Sequence, residues 1–253
     1  MANYLSLTCE ALARSIYLTA ADSANTVTVR LFRQGLHNTP KKLRSTLQAE
    51  IDRVEPEKYE AILLAYGICG TSTVGLTAPH TPLVIPRAHD CITLYLGSHR
   101  RYETEFKRHP GTYWYSVDYI ERNDEGASVA LGAAGIEEQE AQYEEWVEKF
   151  GKESADHLLE TMRSWSQHYT RAVFIDTGLG ESGPYEQIAR EKADKEGWVF
   201  ERLEGNRRLI EALVGGEWNQ AEFLVVPPGN IIRQSINDGL LKSEPLVAGN
   251  SVD

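Results

Sequence analysis

Cysteine is scarce in this chain: its 253 residues include 3, at positions 9, 69 and 91. Each stands shortly after an apolar run, residues 4–7, 61–65 and 82–85. Of the 7 histidines, His37 follows the run 27–32 and His89 precedes Cys91 by two positions. Thiolate and imidazole bind soft metals and attack electrophiles. Cys9, Cys69 and Cys91 as ligands, without a fourth cysteine, leave an open coordination position. Catalytic zinc keeps such a position for water or substrate. A zinc of this kind can hold a substrate thiol as thiolate and present it to an alkyl donor. The same three thiols also suit a [4Fe-4S] cluster whose last iron binds substrate. The His89-x-Cys91 spacing makes His89 a reserve fourth ligand. His37, Glu10 and Asp90 are the remaining titratable groups nearby, with acid–base roles open to them. Two other readings stay open: a metal-free Cys–His nucleophile, and three cysteines that are simply small packing residues.

This chemistry requires elements that bring the residues together. The runs 4–7, 27–32, 61–65 and 82–85 read as strands, with helices near 11–20, 40–53 and 92–108. Thr39 before Pro40 is a helix start, since proline's fixed φ and missing N–H suit the first helical position. Short strands alternating with helices point to βαβ units and a parallel sheet. In an open parallel sheet ligands bind beyond the carboxyl ends of the strands. Taken in turn, those ends lead into Cys9-Glu10, His37-Asn38, Cys69-Gly70 and His89-Asp90-Cys91. Helix N-termini follow these loops, and their dipoles favour thiolate over thiol.

A strand at 112–116 follows Pro110-Gly111, and Asn123-Asp124-Glu125-Gly126 reads as a linker. An acidic helical stretch spans about residues 136–169. There Tyr143, Trp146, Phe150 and Trp165 form a stripe at helical spacing, and the glutamates at 137, 138, 140, 144, 145 and 148 form a solvated face. The rest repeats the early order: strand 171–175, helix 184–196, strand 199–203, helix 206–214, strand 223–226. The expected fold is therefore α/β, with two similar Rossmann-like βαβαβ lobes, parallel sheets and a cleft between them, plus an acidic helical insertion. The boundaries fall at 1–122 for a first lobe carrying the Cys/His site, 123–169 for linker and helix, 170–240 for a second lobe and 241–253 for a tail. One motif lies outside this scheme. Gly178-Leu179-Gly180-Glu181-Ser182-Gly183 matches G-x-G-x-x-G, but Asp176-Thr177 intervene between strand and first glycine. The register suits an anion at a helix start better than a dinucleotide.

Composition narrows the partners. A net charge of −11 repels phosphate backbones, so nucleic acid is not expected. No apolar run approaches the roughly 20 residues of a membrane helix, and residues 1–8 lack the pattern of a signal peptide. A sparse, odd set of cysteines suits a reducing cytoplasm. The expected partner is a small-molecule substrate.

Several blocks together resemble a known family. They are Thr8-Cys9-Glu10, Gly35-Leu36-His37-Asn38, Tyr66-Gly67-Ile68-Cys69-Gly70, Pro86-Arg87-Ala88-His89-Asp90-Cys91-Ile92-Thr93, Leu96-Gly97-Ser98, Arg101-Tyr102 and His109-Pro110-Gly111-Thr112-Tyr113. They are similar to domain-of-unknown-function family 1638, with the block 86–93 the most specific. This chain has Cys69-Gly70-Thr71-Ser72 where many members resemble one another in an asparagine-rich turn. The resemblance implies one-carbon metabolism, since members are associated with corrinoid-dependent methyltransferase systems for methylated amines and betaines. It thus implies methyl or alkyl transfer and a corrinoid protein as partner. The rival functions are an iron–sulfur lyase or desulfurase, and a non-catalytic accessory that binds a corrinoid protein or delivers metal.

Overall fold

The computed structural model describes residues 1–122, 143, 146–148, 151–157, 160, 168–235 and 239–246. Contacts divide the chain into two units, Met1–Arg101 with Asn206–Asp253, and Tyr102–Gly205. The first unit begins with β1 (Asn3–Cys9), a 3-10 turn at Glu10–Leu12, α1 (Ala13–Asp22) and β2 (Thr26–Phe32). A second 3-10 turn (Gln34–Asn38), α2 (Pro40–Asp52), β3 (Ala61–Ala65), β4 (Thr77–Ala78), β5 (Leu83–Pro86) and α3 (Cys91–Leu96) follow. Helix α4 (His99–Arg108) leads into the second unit, made of β6 (Thr112–Ser116), α5 (Val117–Glu121), β7 (Arg171–Asp176), α6 (Ser182–Glu196) and β8 (Val199–Glu204). The chain then returns through α7 (Arg208–Gly215), β9 (Phe223–Val226), β10 (Asn230–Ser235) and β11 (Leu240–Pro245).

The main sheet of the first unit has the order β2-β1-β3-β5-β9. β1 pairs in parallel with β2 and β3, and β3 in parallel with β5. Its central strands read as continuous apolar runs because helices cover both faces of such a sheet. β3 is buried at every position, and β1 from Tyr4 to Cys9. β2 lies at an edge, and there exposure alternates along the strand. Leu5, Leu7, Ile62, Leu63, Leu64, Val84 and Ile85 are fully buried and form the sheet's part of the core.

The mixed α/β class with parallel sheets is as expected; the grouping of elements differs. Residues 223–226 form β9, which pairs antiparallel with β5 in the first sheet rather than closing a second lobe. Residues 112–116 form β6, which pairs in parallel with β7 in the sheet β6-β7-β8. The segment 170–240 is therefore shared between the two units, and the contacts do not follow the boundaries 122, 169 and 240. A short apolar run marks a strand, but carries neither its direction nor its partner. Residues expected as a tail supply β11, which forms an antiparallel hairpin with β10, extended by β4. Arg87 fastens this region: its guanidinium donates to the carbonyls of Gln220, Gly239 and Leu241. The single helix expected over 92–108 is two, because Gly97 ends α3 in the left-handed region with φ +67°. A Cβ there would lie 2.4 Å from the Asn206 carbonyl oxygen, so only glycine fits.

The linker at 123–126 and most of the acidic stretch, including Phe150 and Trp165, lie outside the described residues. Tyr143 and residues 146–148 and 152–157 are helical. The described core of the second unit is an aromatic cluster in which Tyr113, Tyr115 and Phe174 pack with Ala189 and Ala193 of α6, bordered by Tyr169 and Trp198. Tyr113 meets Tyr169 edge-on at 5.2 Å between ring centroids.

Candidate functional site

Three parallel strands of the first unit deliver the three cysteines to one edge of the sheet. Cys9 is the last residue of β1 and is 8% exposed. Cys69 follows β3 after Tyr66-Gly67-Ile68, and Cys91 opens α3 after the loop from β5. β1, β3 and β5 are neighbours in that order, so their carboxyl ends lie side by side. The loops after β3 and β5 are joined as a short extension of the sheet. Ile68 N–H donates to the Ala88 carbonyl at 2.8 Å, and Cys69 N–H to the His89 carbonyl at 3.0 Å. They approach so closely that a Cβ on Gly67 would stand 2.6 Å from the Asp90 nitrogen. Beyond this contact the backbone turns sharply. Cys69, Gly70 and Thr71 have φ of +45°, +62° and +77°, and the Ser72 hydroxyl closes the turn by donating to the Cys69 carbonyl at 2.7 Å. A left-handed conformation at two non-glycine residues is strained, and such strain is concentrated at functional loops. On the other side, the Tyr95 hydroxyl of α3 donates to the Ala11 carbonyl and ties the helix that begins at Cys91 to the turn after Cys9.

The thiols are close enough to perturb one another. Burial pushes the Cys9 thiol up to about 12, with Glu10 adding to the rise against a backbone N–H contact from Ala11. Burial raises Cys69 further, and then Cys9 and Asp90. Cys91 is raised by burial, then by Cys69, Asp90 and Cys9. A thiolate at Cys9 therefore disfavours one at Cys69, and both disfavour one at Cys91. Helix starts were expected to hold these groups as thiolates; burial and mutual repulsion outweigh that dipole, and the chain alone keeps them protonated.

The acid–base candidates have distinct positions. Asp90 is the N-cap of α3, where its carboxylate accepts N–H groups of Ile92 at 3.0 Å and Thr93 at 3.4 Å. Glu10 opens the turn after Cys9 and lies within electrostatic reach of Cys9 and Tyr66. His37 stands on the turn after β2, half-buried, with Nδ1 bonded to the Gln34 carbonyl. Burial lowers its pKa, with that carbonyl acting in the opposite sense, so the ring is neutral at neutral pH. Nδ1–H then donates, and Nε2 carries the lone pair a general base needs. His89 is exposed, and its ring stacks on His99 at 5.8 Å with the planes 21° apart.

Tyr66 has no role assigned by sequence reasoning alone. It is 2% exposed, and its hydroxyl has no hydrogen-bond partner among the described residues. Burial, then Cys9, Cys69 and Glu10, raise its pKa well above the ordinary value, which places the phenol in the thiols' neighbourhood. A tyrosine ending an apolar strand and followed by glycine was the available signal.

Three thiols fit a soft metal in kind. Among the described residues, no three of His, Cys, Asp and Glu are already grouped as a metal-holding set. Elsewhere in the first unit, a surface groove of about 630 Å³ is lined by Arg208, Glu211, Ala212, Glu217 and Asn219. Arg208 is paired there with Glu222. In the second unit the glycine-rich loop is closed locally, Asp176 accepting from Gly178 N–H at 2.9 Å, and Glu201 is engaged by Arg171. Of the two acidic residues placed for a dinucleotide ribose, Glu201 and Glu204, the first is thus occupied.

Among the described residues, no helix is long and apolar enough to cross a membrane. No curated protein and no solved structure matches the chain. A family model does match, over residues 31–214. That range takes in His37, Tyr66, Cys69, His89, Asp90 and Cys91, and leaves Cys9 and Glu10 outside it. The chain belongs to the family described as "Protein of unknown function (DUF1638)".

Proposed function

We propose that this chain is a metal-dependent enzyme of one-carbon metabolism in which Cys9, Cys69 and Cys91 hold the metal. The reading rests on one observation: three neighbouring parallel strands lead at one edge to buried Cys9 and half-buried Cys69 and Cys91, with Cys9 raising the pKa of Cys69 and both raising that of Cys91. Each proton removed there leaves a thiolate beside thiolates, and a cation is what offsets that repulsion. Zinc is the favoured ion, with a [4Fe-4S] cluster the alternative on the same ligands. Because the thiols are not grouped for coordination in the folded chain, metal would draw them together, so binding and local ordering are one event.

Zinc bound by three thiolates would supply Lewis acidity at an open position, which suits methyl or alkyl transfer to a substrate thiol. The chain's residues do the rest. Asp90 fixes the start of α3 and hence Cys91. Neutral His37 takes or returns a proton through Nε2. Glu10 supplies negative charge beside Cys9, and His89 is the reserve ligand. A cytoplasmic setting and a corrinoid protein as methyl donor or partner complete the proposal, on the strength of the family's associations. A non-catalytic accessory with the same thiols would bind metal without turnover.

Metal and acid-labile sulfide should be measured on protein purified without oxygen. About one zinc per chain, with no sulfide, is expected; iron with sulfide would move the assignment to the cluster. Loss of affinity on acidification is the second expectation. The raised thiols keep their protons until metal displaces them, so affinity falls as pH falls, by up to about a thousandfold per unit if three protons leave. Protein that retains neither metal under these conditions is outside this reading.

A further inference from the structure

We propose that the C-terminal hairpin of β10 and β11 is a strap on the candidate site, buckled through Arg87. While the hairpin tip is held, the loop carrying His89, Asp90 and Cys91 stays closed against the loop after β3. Release of the tip opens that edge and uncovers Cys69 and Cys91. The strap acts on the edge named in the proposed function and needs no metal there.

The device is built from one residue bonded in two directions. Arg87 directly follows β5 and leads into the site loop. Its side chain reaches the hairpin: Nη1 donates to the Gly239 carbonyl at 3.1 Å and to that of Leu241, while Nε donates to the Gln220 carbonyl at 2.9 Å. Its own N–H donates to the Glu222 carbonyl at 2.7 Å. The carbonyls of the next two residues, Ala88 and His89, accept from Ile68 and Cys69. Force on the tip therefore has a short route, through Arg87, to the backbone at Cys69. The hairpin is anchored differently at its two ends. At its base Asn230 and Ile231 pair with β4, and Ile232 accepts from Gly75 and donates to Leu76, both at 2.8 Å. At its tip the exposed Gly239 is left-handed, with φ +65°, and its carbonyl meets the Arg87 guanidinium. A base held by backbone pairing and a tip held by a side chain make a hinge with a catch: losing the catch frees the tip without unzipping the base. Cys69 and Cys91 are half-buried already, so a small opening uncovers them. Buckle and strap also differ in origin. Arg87 lies within the residues 31–214 that match the family, whereas Gln220, Gly239 and Leu241 lie beyond them.

The test uses the full-length protein with a chelator present, so that its outcome is independent of metal. Two rates are read by mass spectrometry: deuterium exchange over residues 66–72 and 88–92, and alkylation of Cys69 and Cys91 by iodoacetamide. Arg87→Met loses three hydrogen bonds from a charged donor and should raise both rates by at least about tenfold. Exchange over β6–β8 should stay unchanged. Gly239→Ala keeps Arg87 but puts a Cβ on a left-handed residue, and should raise the same rates by about fivefold. It should add nothing in the Arg87→Met background, because the strain at the tip reaches the edge through the buckle. Wild-type rates in Arg87→Met overturn the proposal. A rise shared by β6–β8 is general unfolding and overturns it equally, as does a Gly239→Ala effect that persists undiminished without Arg87. If Arg87→Met does not fold, Gly239→Ala alone decides, and unchanged rates at the edge remove the strap.

Discussion

The two parallel sheets end differently. In the second unit the carboxyl ends of β6, β7 and β8 carry polar groups whose partners lie close by in the fold. The Ser116 hydroxyl caps α5 by accepting from Tyr119 N–H at 3.3 Å. Asp176 accepts from Gly178 and pairs with Arg202. At the opposite end of β7, Arg171 is buried, yet it meets Glu105 at 2.9 Å and Glu201 at 2.6 Å. In the first unit the corresponding edge carries Cys9, Cys69 and Cys91, with Cys9 and Cys69 disfavouring a thiolate at Cys91, and the buried Tyr66 hydroxyl, which has no partner among the described residues. Polar groups engaged with one another support a structure; polar groups gathered and left unsatisfied call for something from outside. The parallel sheet is common to both units, so the fold alone does not assign the function.

That contrast can be broken by substitution. The largest effect is expected at the first edge. Cys69→Ser should lower metal affinity by more than the roughly 10–100-fold typical of changes to surrounding residues, while leaving urea stability of the metal-free protein within about 1 kcal/mol. Full metal occupancy in this variant would return the cysteines to the status of packing residues. His37→Ala should retain the metal and slow methyl transfer by about 10²–10⁴, the range for a general acid or base. Metal content and rate should be read on the same preparation; metal loss would make His37 a ligand instead. The smallest change in function is expected from the second unit. Arg171→Met leaves Glu105 and Glu201 facing each other without the cation. It should destabilise the protein by about 2–3 kcal/mol, toward the low end for a broken buried pair because Glu201 is 44% exposed. Urea unfolding would show this with metal content unchanged. If Arg171→Met lost the metal and Cys69→Ser only the stability, the comparison would be inverted.

Much of this was legible in the residues. Apolar runs located β1, β2, β3 and β5 to within two residues at either end, and Thr39-Pro40 marked the start of α2. Ordering these strands as parallel was enough to bring Cys9, Cys69 and Cys91 to one edge. The partnership of β9 was not legible, because its run reads the same in either direction. The hairpin of β10 and β11 went unread, since its strands are short and partly polar. At the candidate site, the residue types were visible and their protonation was not. Helix position suggested thiolates, but burial and mutual repulsion are properties of the assembled edge. Tyr66 reads as core in the sequence, because a tyrosine ending an apolar run looks like core; that its hydroxyl lacks a partner among the described residues is visible only in three dimensions.

The backbone seam between the loops after β3 and β5 has a mechanical consequence. Two hydrogen bonds and the close approach at Gly67 join the backbone at Cys69 to the segment leading into Cys91. These two positions therefore behave as one jaw. Cys9 ends β1, which is held to β3 by parallel pairing as far as Thr8 opposite Ala65, and the Tyr95–Ala11 contact ties the turn after it to α3. A pull on any one of these three positions is therefore passed through backbone to the other two, so the edge yields as a single body rather than residue by residue.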